Sequence, residues 1–294
     1  MRAALFKPRY WPTWLLLGFM RVSIMFPYRV QLAIGFSVGR LMRLLARRRW
    51  RVTLVNLELC FPELDAAARE KLARRHFESL GMALIEFALC WWKDSEWLRP
   101  LGEIHGLEHL QAARAKGHGV ILLNAHFTCL ETTGRLLGLY TDLHLMYRPI
   151  QNPVIEEVMR RSREKLFERA IQRNEIRVLL KSLKDGKPVW YAIDQGYRGK
   201  GSIMVPFFGH PAPTNPALSR LAETSGAPVV PCFGMRLPDG RGYRLVIGPE
   251  FAGFPSGDVA ADTLRLNQWL EQCIRQAPEQ YLWIHDRFKV VPRD

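Results

Sequence analysis

The first 57 of 294 residues contain no aspartate or glutamate, although eleven Lys and Arg stand there. That absence accounts for most of the +14 net charge, since the remainder carries 31 basic against 28 acidic residues. A basic excess confined to one end, beside apolar residues and without a recognisable binding motif, excludes nucleic acid as the expected partner. Cysteine is also scarce: Cys60, Cys90, Cys129, Cys232 and Cys273 are odd in number and never spaced Cys-x-x-Cys. No disulfide framework or redox motif is expected, and reduced, packed thiols in a cytosol-facing domain fit better. No metal-ligand spacing occurs, so neither a metal nor a cofactor is expected. The apolar start lacks a small-residue cleavage site and does not read as a secretory signal. Internal repeats and low-complexity tracts are missing too, and 48% hydrophobic residues exclude a disordered chain.

The basic start is apolar as well. "YWPTWLLLGFMRVSIMFPY", residues 10 to 28, holds one charge, Arg21, between two aromatic clusters. A spanning helix needs about 20 apolar residues, and a central arginine costs roughly 2.5 to 3.5 kcal/mol on insertion scales. Two geometries remain open, a spanning helix or one lying in the headgroup plane with its arginines toward anionic lipid. Either way residues 1–57 read as a membrane-anchoring segment, and "RRRWR" after its apolar part favours a cytoplasmic body. Residues 58–118 read as a helical lead-in. Within it Phe61 to Trp92 forms a helix pair or one long helix, with Asp65 as N-cap and Leu72, Phe77, Leu80, Leu84 and Phe87 as its apolar stripe. In residues 119–294 strand-like runs ("GVILLN", "LHLMY", "PVWYAI", "PVVPCF") alternate with helix-like ones. The expected fold class is α/β, a mostly parallel sheet with helices on both faces, with a late hairpin about Pro238-Asp239-Gly240 and a final helix, Thr263 to Gln276.

"GVILLNAHFTCLETTG" is the most informative stretch. Val120 to Leu123 read as a strand buried on both faces, and His126 stands just beyond its carboxyl end, where open α/β sheets bind ligands. Thr128 and Glu131 fit a capping box, which would make Glu131 purely structural. In one continuous helix His126 and Glu131 would lie about 140° apart. With His126 in a loop and a helix starting near Thr128, Glu131 leans back toward the imidazole and can fix its tautomer, leaving the other nitrogen to accept a proton. The serine of a hydrolase triad is missing; an activated thioester needs none, because an acceptor hydroxyl attacks directly once a base removes its proton. Cys129, embedded in "FTCL", reads as packing and not as the nucleophile.

These features resemble the secondary acyltransferases of lipid A biosynthesis, the lauroyl and myristoyl transferases of the lysophospholipid acyltransferase superfamily. "KPRYWPTWL", "NLELCFPEL", "AHFTCLE", "YRPIQNP", "VWYAIDQ", "VPFFGHPAPT" and "PEQYLWIHDRFK" carry the resemblance in order, nearly end to end. It implies an acyltransferase-like three-layer sandwich that transfers a fatty acyl chain from acyl-acyl carrier protein to a hydroxyl of a lipid A precursor of the Kdo-lipid IVA type. The inner membrane, on its cytoplasmic side, is the implied location. His126 carries over as general base and Glu131 as its orienting acid. Arg148 is assigned to phosphate or the developing oxyanion, and Asp194 could orient Arg148 or the acceptor. Asn124, Gln195 and Thr214 are further substrate-binding candidates. Arg21 departs from a uniformly apolar anchor, and the basic run "MRRSREK" could meet an acidic carrier protein or lipid phosphates, or form a solvated helix face. Another acceptor, such as a lysophospholipid or glycolipid, would use the same base; a scaffold binding acyl chains or carrier protein without turnover would need neither His126 nor Glu131.

Overall fold

The computed structural model describes residues 3–197, 199 and 201–289. Four helices come first: α1 (Trp11–Ser23), α2 (Tyr28–Leu45), α3 (Arg47–Cys60) and α4 (Ala66–Trp92). The last is one long helix, begun by the Asp65 carboxylate accepting the Ala68 N–H. The rest alternates as β1 (Gly102–His105), α5 (Leu107–Arg114), β2 (Val120–Asn124), α6 (Leu130–Leu137), β3 (His144–Tyr147), α7 (Pro153–Leu166), β4 (Arg169–Gln172), α8 (Ile176–Lys184) and β5 (Pro188–Ala192). After β6 (Ile203–Phe207) and β7 (His210–Thr214) come α9 (Ala217–Ser225), β8 (Val229–Arg236), β9 (Tyr243–Ile247) and α10 (Val259–Gln276).

Among the described residues the main sheet runs β1-β9-β8-β2-β5-β3-β4, and β6 with β7 forms a separate ribbon. The five strands from β8 to β4 are mutually parallel; β9 pairs antiparallel with β8 across the expected hairpin. Every residue of β2 is buried. Val120 and Leu122 join a core with α4 and α10, while Ile121 and Leu123 join another with α8 and α9, which is why the run has no polar alternation. The α/β fold with helices on both faces is therefore as expected. It also contains β1, β4, α8 and the β6/β7 ribbon, which the sequence patterns did not single out.

Helix α2 lies on α4 at very close approach. A Cβ on Gly81 would fall within 2.0 Å of the Gly35 carbonyl oxygen and 2.2 Å of the Gly39 nitrogen. A polar chain, mostly buried, joins α2 and α4 to the sheet. Tyr28 and Tyr243 hydroxyls meet at 3.0 Å, Tyr243 donates to Glu86, and Arg236 grips Glu86 through two bonds of 2.6 Å. Arg236 also donates to Ser79 Oγ, which lies 2.7 Å from Thr128 Oγ1. Buried charges persist only when paired and hydrogen-bonded, and here the pairing ties α4 to the segment that follows His126.

The apolar start is two helices, not one span. No helix among the described residues is long and apolar enough to cross a membrane. Leu17 and Met20 of α1 pack with Ala88 and Leu89 of α4, while Leu15, Phe19, Val22 and Met25 are exposed. Arg21, the charge interrupting the stretch, lies over the Trp92 ring at 5.9 Å.

Candidate functional site

His126 follows the carboxyl end of β2, and Asp194 follows that of the adjacent strand β5. Parallel pairing of Asn124 with Ala192 sets the two turns side by side, and the Asn124 carbonyl accepts the Ile193 N–H. Asp194 Oδ1 receives both the His126 backbone N–H at 3.1 Å and imidazole Nδ1 at 2.7 Å. The carboxylate is buried, while the His126 side chain keeps 29% of its surface exposed. Burial opposes the imidazolium, but the charge and hydrogen bond of Asp194 outweigh it and hold the His126 pKa above its ordinary value. Burial likewise opposes the carboxylate, yet His126 brings Asp194 below the usual range. An imidazole whose Nδ1 proton faces a buried carboxylate leaves Nε2 as its proton acceptor, and Gln195 Nε2 lies 3.2 Å from it.

Glu131 is not the imidazole's partner. Its carboxylate takes two bonds from Arg163 of α7, at 3.0 and 2.5 Å, and both side chains are 11% exposed. The expected Glu131–His126 contact is thus corrected to Asp194–His126, and Asp194, expected to orient Arg148 or the acceptor, holds the imidazole instead. The capping box is not formed either: α6 begins after Cys129, Thr128 faces Ser79, and Glu131 is held from another helix. Arg163 was visible only as part of "MRRSREK". Its signal is its place four residues after the buried Met159, on the inward stripe of α7, where an arginine must find a carboxylate. Arg160 and Arg161 of the same run pair with Glu157 and Glu164 of their own helix.

The remaining candidates separate by depth. Arg148 follows β3, is exposed, and with Pro149, Gln172, Arg173 and Asn174 lines a polar cleft of about 280 Å³. Strands β3 and β4 stand two and three places from β2, so this cleft lies roughly 10 to 15 Å from His126 along the same edge. Asn124 is buried and donates to the Leu122 carbonyl. Thr214 is buried in the β6/β7 ribbon, donates to the Ala212 carbonyl and accepts from Arg287. Cys129 is buried, and burial pushes its thiol up to about 12, which suits packing and not a nucleophile.

A C-terminal strap completes the site. Thr128 N–H donates to the Gln280 carbonyl at 2.7 Å, Leu282 N–H to the His126 carbonyl at 3.0 Å, and Phe127 bridges to Tyr281. His285 Nε2 accepts the Gly196 N–H at 2.9 Å. The histidine loop is held by α4 on one side, the strap on another and Asp194 beneath, an arrangement suited to a preorganised base. Among the described residues no cluster of His, Cys, Asp and Glu has the geometry of a metal site.

Among the described residues the His126–Asp194 pair at the edge of the parallel sheet has no reactive thiol beside it, Cys129 being buried with its thiol pKa raised. The model of the bacterial lipid A biosynthesis acyltransferase family matches residues 2–290. Among curated proteins, the lipid A biosynthesis palmitoleoyltransferase of Escherichia coli K12 is 41% identical over 290 residues, 97% of this chain and 93% of that protein. The lauroyltransferase of the same organism is 36% identical over 98% of this chain and 95% of its own length, and the myristoyltransferase is 30% identical over 94% and 86%. The chain is an acyltransferase and belongs to the bacterial lipid A biosynthesis acyltransferase family.

Proposed function

We propose that the protein transfers a fatty acyl chain from the thioester of acyl-acyl carrier protein to a hydroxyl of a lipid A precursor of the Kdo-lipid IVA type. The observation that carries this reading is the 2.7 Å contact between His126 Nδ1 and buried Asp194, which leaves Nε2 to act as base. The acceptor hydroxyl gives its proton to Nε2 as its oxygen bonds to the thioester carbonyl carbon. The C–S bond then breaks and the imidazolium returns the proton to the departing thiolate. Glu131 contributes through Arg163, fixing α7 against α6. Arg148 and Arg173 in their cleft support recognition of an anionic group of the acceptor, a phosphate above all.

The reaction belongs at the cytoplasmic face of the inner membrane. The exposed apolar side chains of α1 and α2, set among arginines and with no acid before Glu58, support an in-plane anchor in an anionic leaflet. Purified His126→Ala should lose most acceptor-dependent thioester consumption, about 10²- to 10⁴-fold, while remaining folded. Near-normal turnover by that variant overturns the mechanism.

A further inference from the structure

The two nitrogens of His126 have different partners. Asp194 can only accept, so Nδ1 carries the proton of the neutral ring and Nε2 presents a lone pair. The Gln195 amide nitrogen, 3.2 Å away, offers only N–H donors, so this bond runs from Gln195 to His126. The atom that takes the acceptor's proton is therefore occupied before any acceptor arrives. The residues on both sides of Gln195 are held, Asp194 through its carboxylate by His126 and Gly196 through its backbone N–H by His285. The Gln195 side chain itself is exposed and can leave by side-chain rotation alone.

We infer that Gln195 is a displaceable cap on His126 Nε2, which withholds the base from water and yields to an acceptor hydroxyl, suppressing hydrolysis of the acyl thioester when no acceptor is bound. The inference rests on His126 being the base. The suppressed reaction is the same transfer with water in the acceptor's place. Water oxygen bonds to the carbonyl carbon, its proton passes to Nε2, the C–S bond breaks, and the proton goes on to the thiolate, giving free fatty acid and thiol. A loose water must compete with a tethered amide, whereas a hydroxyl held by the rest of a bound acceptor has an effective concentration far above that of a free molecule. The cap therefore discriminates by tethering and not by chemistry.

The test uses the full chain in membrane mimetic with an acyl-acyl carrier protein. Hydrolysis without acceptor and transfer with acceptor are measured for the wild type, Gln195→Ala, His126→Ala and the double variant. The ratio of hydrolysis to transfer should rise about fivefold in Gln195→Ala, the factor for one net hydrogen bond, and that gain should vanish in the double variant. Nitrogen-15 NMR titration gives a readout independent of turnover. Loss of a donor to Nε2 removes a stabiliser of the neutral ring, so the His126 pKa should rise in Gln195→Ala and further in Gln195→Glu. An unchanged ratio with an unmoved titration, while His126→Ala is inactive, overturns the cap alone. Normal transfer by His126→Ala overturns the base and the cap together.

Discussion

Asp194→Asn replaces a carboxylate by an amide of the same shape whose N–H can face Nδ1. The ring proton then moves to Nε2, the tautomer that cannot accept from a hydroxyl, so kcat/KM should fall about 10²- to 10⁴-fold without loss of fold. Steady-state kinetics with circular dichroism checks this. The same pairing sets a pH dependence. As the proposed base, His126 works only when neutral, and Asp194 raises its pKa, so kcat/KM should increase with pH through an apparent value above about 6.5. The stability the pair contributes runs the other way, being complete below the unfolded histidine's pKa and lost as pH rises through the folded one. Glu131 and Arg163 form a separate unit. Removing either leaves a partly buried charge alone, so Glu131→Gln or Arg163→Met should each cost about 3 kcal/mol. The double variant should be less destabilised than the two losses combined, as a thermal denaturation cycle would measure. Additivity would show that the two side chains do not support each other.

Strand β2, helix α4 with its Asp65 cap and the β8/β9 hairpin were legible because each announces itself locally, by an apolar run, a cap or a turn. The partner of His126 was not, because Asp194 lies 68 residues away and only the pairing of β2 with β5 brings it near. Glu131 had the more suggestive spacing, and a long-range ion pair took it. The β6/β7 ribbon was hidden by Pro206, Pro211 and Pro213, which argue against a central strand but are tolerated in an isolated two-stranded ribbon. The strap from Gln280 to His285 has no period at all, and two histidines against it are expected to make it sensitive to acid. His76 is fully buried with Nδ1 3.1 Å from the Glu279 carbonyl, and burial lowers its pKa to about 4. Burial lowers His285 to about 4 as well, and its lone pair must be free to accept from Gly196. Both stay neutral when folded, so the unfolded or detached chain binds more protons between pH of about 4 and about 6.5, and stability falls as pH drops through that window. Thermal melts across it should show the decline, and His76→Gln, which keeps a donor for the Glu279 carbonyl but cannot titrate, should flatten it. Equal acid sensitivity in His76→Gln would remove His76 from this account.

At the scale of the whole molecule, eleven of the fourteen excess positive charges and most of the exposed large apolar side chains fall in the first 57 residues, a distribution that suits the lipid surface proposed above. Helix α1 has 13 residues and spans about 20 Å, short of the roughly 30 Å hydrocarbon core, and one side of it is committed to α4. Its other side exposes Leu15 and Phe19, Met25 follows at 80% exposure, and Leu45 closes α2 at 75%. Arg29, Arg40 and Arg43 lie along α2, with Arg43 over the Trp50 ring and Arg40 over that of Phe36. Guanidinium groups carried on aromatic faces beside exposed aliphatic side chains suit the boundary between headgroups and acyl chains. Two separable contributions to binding are therefore expected. In flotation with vesicles of mixed anionic and neutral lipid, the full-length variant Leu15→Glu/Met25→Glu should lose binding at all salt concentrations, because it removes inserted apolar area and adds repulsion. Arg29→Gln/Arg43→Gln should lose mainly the salt-sensitive part and bind neutral vesicles as the wild type does, each arginine near the surface being worth about 1 kcal/mol. Neither substitution touches the core around His126, so thioester hydrolysis measured in detergent should persist while transfer to a vesicle-embedded acceptor falls. If the Leu15→Glu/Met25→Glu variant still floats fully with the vesicles, the membrane-facing surface is not the one formed by α1 and the start of α2.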